Sequence, residues 1–282
     1  MAGMDQFSAV SETALITLRS RIIESEKTFP VIHDPVGAEL LQRLKKQDLD
    51  ESVNSLLYRK LPSSLTVPLA LRARKYDSAV KEFLAVYPDG LIVSLGAGFD
   101  TRFWRLGIEK TNYIEVDLPE VIEAKKYILG DLVTYEMIGA SVLEKEWIEE
   151  ISLHQASRVL FLAEGLFMYL PGQEVIETIS RMAGSFSDSR IVLEMVNKKY
   201  TEGFWKKIVE SKMKRRAGTS AGSSYQYGVR DAKELEDYHE KIKIVEEWSF
   251  FEDEDIKPAF YKIFRNIRLM TRAQWTIIAD LE

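Results

Sequence analysis

One segment constrains the fold more than any other, an apolar run that leads directly into two glycines. Leu91–Leu95 is short and almost wholly apolar, as in a strand buried on both faces, and Gly96 and Gly98 follow it. Glycine lacks the Cβ that would keep a ligand away from the turn, and a following helix N-terminus offers free N–H donors. Thr101 stands where a G-x-G-x-x-G motif has its third glycine. The pattern therefore favours a mononucleoside ligand over NAD or FAD.

The remaining pattern predicts an α/β fold. After residue 90, apolar runs alternate with helical periodicity, which is typical of βαβ crossovers in a parallel sheet. We expect parallel strands at Leu91–Leu95, Tyr113–Val116, Tyr135–Ile138, Val159–Leu162 and Arg190–Met195, and an antiparallel edge pair at Ile242–Trp248 and Trp275–Ala279. Helices are predicted at Thr13–Glu26, Val36–Leu44, Leu69–Val86, Leu118–Leu129 and Gln173–Phe186, with Pro62, Pro68 and Pro88 separating elements.

Two acidic residues follow predicted strands. Asp117 lies 19 residues after Gly98, the spacing at which a carboxylate at the end of the second strand accepts ribose hydroxyls. The alternative is that Asp117 only caps the helix after it, with Glu115 then the second choice for the ribose. Glu164 follows the fourth strand, so we expect it to face the ligand; here too a helix cap is the alternative.

Composition excludes several classes of function. The net charge of −6 argues against a nucleic-acid partner, and the lack of cysteine excludes disulfides and thiolate chemistry. The three histidines, His33, His154 and His239, do not have metal-ligand spacing, so no metal site is expected. The N-terminus does not resemble a signal peptide, and no apolar run is long enough to span a membrane. We therefore expect a soluble cytoplasmic protein without a membrane partner.

Residues 206–230 have an unusual composition. A basic stretch at residues 206–216 precedes a segment rich in glycine and serine that carries Tyr225 and Tyr227. Such a region is either an exposed helix end with a surface loop, or a lid or docking segment beside a site.

Several motifs together resemble the leucine carboxyl methyltransferase-like family, in particular its bacterial polyketide-synthesis O-methyltransferase branch. The motifs are LRARKYDSAVKEFL from Leu71, LGAGFDTRFWRL from Leu95, YIEVDLPEVIEAKK from Tyr113 and LAEGLFMYL from Leu162. The resemblance implies a Rossmann-like class I methyltransferase fold that uses S-adenosylmethionine. It implies a seven-stranded, mostly parallel sheet with helices on both faces. A helical cap at residues 1–88 would pack on a core at residues 89–282, with a lid-like insertion at about 200–240.

The resemblance also implies a set of cofactor-binding residues. Arg72, with Arg74 as a second candidate, would pair the methionine carboxylate, and Glu164 would lie near the cofactor's amino end. Asp117 would bind the ribose. Where many relatives have an Asp-Leu pair at the adenine, this chain has Ser141 and Val142, and Ser141 can still bond the exocyclic amine. The complete set is Arg72, Arg74, Gly96, Ala97, Gly98, Asp117, Leu118, Ser141, Val142 and Glu164.

The expected reaction is S-adenosylmethionine-dependent O-methylation of a small-molecule acceptor such as a polyketide-like metabolite. A carboxylate acceptor is ionised at neutral pH and needs no general base, whereas a phenol needs one. The candidates for a catalytic role are Tyr169 and His33, and the acceptor pocket is expected to include Tyr169, Tyr225 and Tyr227. Protein C-terminal carboxyl methylation, with residues 206–216 docking an acidic partner, and a catalytically degenerate cofactor-binding protein remain alternatives. The oligomeric state is open.

Overall fold

A single seven-stranded sheet organises the chain. The computed structural model describes residues 12–47, 49, 51–154, 156–217 and 224–282. Its strands are β1 (Leu91–Leu95), β2 (Tyr113–Asp117), β3 (Glu136–Gly139), β4 (Val159–Ala163), β5 (Ser189–Val196), β6 (Ile242–Trp248) and β7 (Gln274–Leu281). The order is β3-β2-β1-β4-β5-β7-β6, in which β1 to β5 are parallel and β7 runs antiparallel to both neighbours. Each predicted strand is present, with its ends within two residues of the prediction.

Ten α-helices connect and flank these strands in the described part of the chain. They are α1 (Glu12–Ser25), α2 (Pro35–Leu44), α3 (Glu51–Tyr58), α4 (Ser63–Val86), α5 (Arg102–Leu106), α6 (Pro119–Leu129), α7 (Glu146–Ser152), α8 (Gly172–Ser185), α9 (Gly203–Ala217) and α10 (Arg268–Thr271). The prediction that Pro68 separates elements is wrong, because Pro68 lies inside α4. The buried side chains of Val67, Ala70 and Leu71 hold this turn against its neighbours, and that packing outweighs the lost backbone hydrogen bond. None of these helices is long and apolar enough to cross a membrane.

The two faces of the sheet carry separate apolar layers. On one face, alternate residues such as Val93 and Phe161 pack against α7 and α8, including the fully buried Trp147. On the other, Ile92 and Leu160 pack against Tyr76 and neighbouring residues of α4. Strands buried on both faces explain why the sequence shows continuous apolar runs rather than alternation.

The N-terminal helices are joined to the sheet rather than separate from it. Helices α1, α2 and α3 share an apolar cluster with Phe99 and with Ala124, Ile128 and Leu129 of α6. Helix α4 contributes directly to the core of the sheet. The division into a cap at residues 1–88 and a core at 89–282 stays a prediction, because side chains of α4 pack both against the N-terminal helices and against the sheet.

The insertion between β5 and β6 contains α9, a return segment beginning at residue 224, and a 3-10 helix at Ala232–Asp237. Gln226 donates its backbone N–H to the Met168 carbonyl at 2.8 Å, so the return segment lies beside the turn that follows β4. The side chains at positions 212–217, which carry most of the predicted basic docking stretch, lie outside the described residues, as does the segment 218–223.

A buried ion pair joins β2 to α6. Lys125 Nζ lies 2.8 Å from both Glu115 carboxylate oxygens and donates to the Asp100 carbonyl at 2.7 Å; both side chains are 1% exposed. Glu115 is therefore committed to the packing of α6 on the sheet. It is not oriented as a substitute for Asp117.

We expect Glu115→Ala to lower the free energy of unfolding by about 3–5 kcal/mol, because it leaves the Lys125 ammonium buried without its carboxylate. Urea denaturation followed by circular dichroism measures this loss. The control is Glu149→Ala, which removes a carboxylate paired with Lys145 where both side chains are more than 60% exposed, and which should cost about 0.5 kcal/mol or less. Equal losses in the two variants would contradict the prediction.

Candidate active site

The glycine turn lies at the carboxyl edge of the parallel strands, between β1 and α5. Gly96 and Gly98 have φ of +59° and +49°, the left-handed region that favours glycine. A Cβ on Gly96 would lie 2.6 Å from the Leu166 side chain, which follows β4. The turn is thus packed against the end of β4, two residues from Glu164, and Ala97 lies at its partly exposed tip.

Asp117 faces this turn from the end of β2. Its Oδ2 accepts the Gly98 N–H at 2.7 Å and its Oδ1 accepts the Leu118 N–H at 2.8 Å. An ionised carboxylate has about four acceptor positions, so two remain for a ligand. Burial raises the pKa of Asp117 above its usual value, although both backbone donors oppose the shift. Leu118, not Asp117, occupies the N-cap position of α6, which disfavours the capping alternative.

Glu164 and Arg72 meet at the end of β4. Glu164 Oε1 accepts from Arg72 Nε at 2.9 Å, and Arg72 Nη1 donates to Glu194 Oε2 of β5 at 2.7 Å. Glu164 Oε2 accepts from Arg102 Nη2 at 2.8 Å. Burial would raise the pKa of Glu164, but Arg72 and Arg102 outweigh it and the pKa lies below its usual value. Glu164 is therefore ionised. Its two oxygens bind guanidinium groups and do not cap a helix.

Arg102 is a site residue to which the sequence reasoning gave no role. Its guanidinium is 1% exposed and binds Asp77 at 2.8 Å, Asp100 and Glu164. Arg105 binds the same Asp77 through two nitrogens, at 2.6 and 2.8 Å. The signal was present in the GAGFDTRFWR motif, where an acid and two arginines directly follow the glycine turn.

These residues form one connected set, here called the charge network. Its members are Arg21, Asp34, Arg72, Asp77, Asp100, Arg102, Arg105, Glu164 and Glu194, four arginines and five carboxylates. No side chain in it is more than 17% exposed. The network runs from α1 and the residue before α2, across α4 and the glycine turn, to the ends of β4 and β5.

Arg74 is not brought to this site. It is two positions from Arg72 on α4, and its guanidinium pairs with Asp253 at 2.8 Å and Asp255 at 2.8 Å in the loop after β6. Two positions on a helix are separated by about 200°, so the two arginines point in different directions. Of the two predicted arginines, the structure brings only Arg72 to Glu164.

Ser141 and Val142 follow β3 and so lie near Asp117, whose carbonyl accepts the Ala140 N–H at 2.9 Å. The Ser141 hydroxyl accepts the Leu143 N–H at 3.3 Å, and its backbone N–H donates to Glu144 at 3.3 Å. Val142 is buried. Leu118 exposes 43% of its surface at the same edge, so its side chain is accessible to a ligand there.

Two of the three predicted acceptor tyrosines lie together. The Tyr169 and Tyr225 ring centroids are 5.6 Å apart, and both rings contact a small apolar cluster with Met168 and Val196. Tyr225 donates to Gln274 Oε1 at 3.2 Å, and Gln274 donates to Glu194 at 2.7 Å. Burial raises the pKa of Tyr169 to about 12, so at neutral pH it can donate a hydrogen bond but cannot act as a base.

The Tyr227 side chain points away from this pair, although its backbone N–H donates to the Met168 carbonyl at 3.3 Å. Its hydroxyl is bonded to that of Tyr238, and its ring covers Gly172 at the start of α8, where a Cβ would come within 2.7 Å of it. This position is on the face of the sheet covered by α8. The structure therefore does not bring Tyr227 to the other two tyrosines.

The histidines are away from the site centre. His33 is exposed on the turn before α2, beside the network member Asp34. The His154 imidazole is 3.5 Å from Glu136 at the start of β3, and His239 accepts the Lys241 N–H just before β6. Both of these lie at the amino edge of the strands, opposite the glycine turn. In the described ranges no three histidine or acidic side chains are placed to hold a metal ion.

The residues at the carboxyl edge fit S-adenosylmethionine. Gly96 and Gly98 adopt the left-handed conformation that the turn requires, and Asp117, bonded to the Gly98 N–H, has free acceptor positions for two hydroxyls. Glu164 offers carboxylate oxygens to an ammonium group, and the exposed Leu118 directly follows Asp117. These are the groups that a nucleoside carrying an amino acid requires.

This chain is similar to known proteins. The model of the family described as "Leucine carboxyl methyltransferase" matches residues 14–183. The tetracenomycin polyketide synthesis O-methyltransferase TcmP of Streptomyces glaucescens is 29% identical over 248 residues, 88% of this chain and 85% of that protein. The S-adenosyl-L-methionine-dependent methyltransferase dpfgK of Gibberella zeae is 29% identical over 196 residues, 67% of this chain and 65% of its own length.

A solved structure supports the fold. The CurJ carbon methyltransferase aligns over 98% of this chain and 68% of its own, with a TM-score of 0.50 and 13% identity. The similarity concerns the fold alone, and it agrees with the expected Rossmann-like α/β architecture, which is confirmed. The family match covers more than half of the chain, and this protein therefore belongs to the leucine carboxyl methyltransferase family and is an S-adenosylmethionine-dependent methyltransferase.

Proposed function

We propose that this protein transfers the methyl group of S-adenosylmethionine to a carboxylate of a small-molecule acceptor. The observation that carries the proposal is the pairing of the glycine turn with Asp117, through the 2.7 Å bond from the Gly98 N–H, beside Glu164 at the end of β4. This arrangement supports cofactor binding at the carboxyl edge. Which kind of acceptor can be methylated depends on whether the site holds a general base that could deprotonate it.

The chain's residues bind and orient the cofactor. Gly96, Ala97 and Gly98 would follow the methionine portion, and Asp117 would accept the ribose hydroxyls. Arg72 would face the carboxylate while sharing its guanidinium with Glu164 and Glu194, because its Nε and Nη1 are already engaged. Ser141, Val142 and Leu118 would border the adenine. When bound, the cofactor supplies a methyl group on a positively charged sulfur; the protein contributes alignment and a site that excludes water.

The site chemistry favours a nucleophile that is already ionised. A carboxylate with a pKa near 4 needs no base at neutral pH, whereas a phenol with a pKa near 10 does. Two of the histidines lie at the opposite edge, and His33 is exposed on the turn before α2. The two tyrosines at the acceptor side have raised pKa values and stay protonated.

A polyketide-like metabolite is the acceptor class we favour. TcmP, the relative from Streptomyces glaucescens, is a polyketide synthesis O-methyltransferase. Tyr169 and Tyr225, whose rings pack together next to Glu194, support an acceptor with aromatic or apolar surface.

We expect Asp117→Ala to weaken the binding of S-adenosylhomocysteine about 10- to 100-fold, since hydrogen bonds to a charged group contribute about 1.5–3 kcal/mol. Isothermal titration calorimetry measures the Kd. Asp117→Asn keeps an acceptor oxygen for the Gly98 N–H and should show a smaller loss. The control Asp131→Ala removes an exposed carboxylate at the far end of α6 and should leave the Kd unchanged. An unchanged Kd in Asp117→Ala would refute its role.

The nature of the acceptor can be tested with 2-naphthoic acid and 2-naphthol, which share one skeleton. With S-adenosylmethionine tritiated in the methyl group, we expect label on the acid but not on 2-naphthol. A methyl ester releases labelled methanol in mild base, whereas an aryl ether does not. The rate with the acid should be flat from about pH 6 to 9, because its carboxyl is ionised throughout. Base-stable label on 2-naphthol alone would contradict a carboxylate acceptor.

A further inference from the structure

Two exposed aromatic side chains, Phe204 and Trp205, lie beside the half-buried Tyr200 where β5 leads into α9. Phe204 is 72% exposed and Trp205 is 52% exposed, and the Trp205 centroid lies 6.3 Å from that of Tyr200 and 6.0 Å from that of Phe204. We call Tyr200, Phe204 and Trp205 the aromatic edge. A cluster of large rings on the surface is costly to leave in water, and it commonly marks a binding site.

The aromatic edge is continuous with the acceptor side of the site. Tyr200 packs against the buried cluster of Met168, Val196 and Tyr225, and Tyr169 packs against the same cluster. Tyr225 is bonded through Gln274 to Glu194, a partner of Arg72. Packing through this buried cluster therefore connects the exposed rings to the Glu194 side of the charge network.

A cation lies among these rings. The Lys199 ammonium is 4.7 Å from the Tyr200 centroid and 6.0 Å from the Trp205 centroid. Among the residues that the structure describes, no carboxylate forms an ion pair with Lys199, whereas the arginines of the charge network all have acidic partners. The aromatic edge thus combines flat apolar surface with a positive charge that is available to an anion.

We propose that the aromatic edge and Lys199 form an acceptor-binding surface for planar aromatic carboxylates. The rings would stack on the flat face of the acceptor, and the Lys199 ammonium would attract the acceptor's carboxylate. This inference rests on the proposed methylation of a carboxylate and adds the shape of the acceptor and the residues that select it. A saturated acid has no planar ring to stack on the aromatic edge, and a neutral aromatic molecule has no negative charge to interact with Lys199.

The test is calorimetric titration of 2-naphthoate into the enzyme saturated with S-adenosylhomocysteine. Trp205→Ala should raise the Kd for 2-naphthoate about tenfold, and Phe204→Ala should raise it in the same direction. Lys199→Glu should raise the Kd for 2-naphthoate about tenfold while changing that for neutral 2-naphthol by less than about twofold. Cyclohexanecarboxylate should bind more weakly than 2-naphthoate to the unaltered enzyme and should not respond to Trp205→Ala.

The chain offers matched controls. Lys45 lies 5.5 Å from the ring centroid of exposed Tyr58, so Lys45→Glu reverses a lysine in the same kind of contact elsewhere. Phe260→Ala removes another exposed aromatic side chain. Neither should change the Kd for 2-naphthoate. Thermal unfolding of every variant shows that the fold is kept.

Three results would overturn the proposal. The first is no binding of 2-naphthoate to the unaltered enzyme, and the second is an equal Kd in Trp205→Ala, Lys199→Glu and their controls. The third is a dimer in sedimentation velocity that Trp205→Ala dissociates without changing the Kd, which would assign the edge to a second copy of the chain. If the unaltered enzyme did not bind S-adenosylhomocysteine, that result would instead count against the proposed function. The failure of this proposal and the failure of the proposed function are therefore distinguishable.

Discussion

The buried guanidinium of Arg102 is the interaction on which the site depends. A cation removed from water needs carboxylates in close geometry, and Arg102 has three, from α4, from the loop after β1 and from the end of β4. Each belongs to a different part of the chain, so their side chains meet only when helix, turn and strand are all in place. Arg102 thereby fixes Glu164 at the carboxyl edge, and Glu164 in turn fixes Arg72.

The net charge of the charge network affects which ligand the site favours. Four arginines face five carboxylates, and Asp117 adds another carboxylate at the same edge, so acidic groups outnumber basic ones in a region that is largely shielded from water. S-adenosylmethionine carries one net positive charge from its ammonium, carboxylate and sulfonium groups, and its product carries none. The excess of acidic groups therefore favours the positively charged methyl donor over the uncharged product.

Much of this architecture is readable from sequence because it depends on local pattern. Apolar runs revealed the strands, and the distance from Gly98 to Asp117 revealed a contact that the structure contains. Long-range packing was not readable: Pro68 sits within α4 because neighbouring side chains are buried, and Tyr227 binds Tyr238 although it is two residues from Tyr225. Asp100 lies two residues before Arg102, but its other two partners, Asp77 and Glu164, are 25 and 62 residues away, and no local pattern encodes them.

The position of β7 determines when the site can be completed during folding. β5 is separated from its antiparallel neighbour by the whole insertion, so its outer edge lies open until Gln274–Leu281 has been synthesised and docked. Closing so long a loop is slow, and an open apolar strand edge invites pairing with other chains. Gln274, the first residue of β7, also holds Glu194. The last strand along the chain is therefore also the one that completes the polar contacts on the acceptor side, and a chain in which β7 has not docked would lack them.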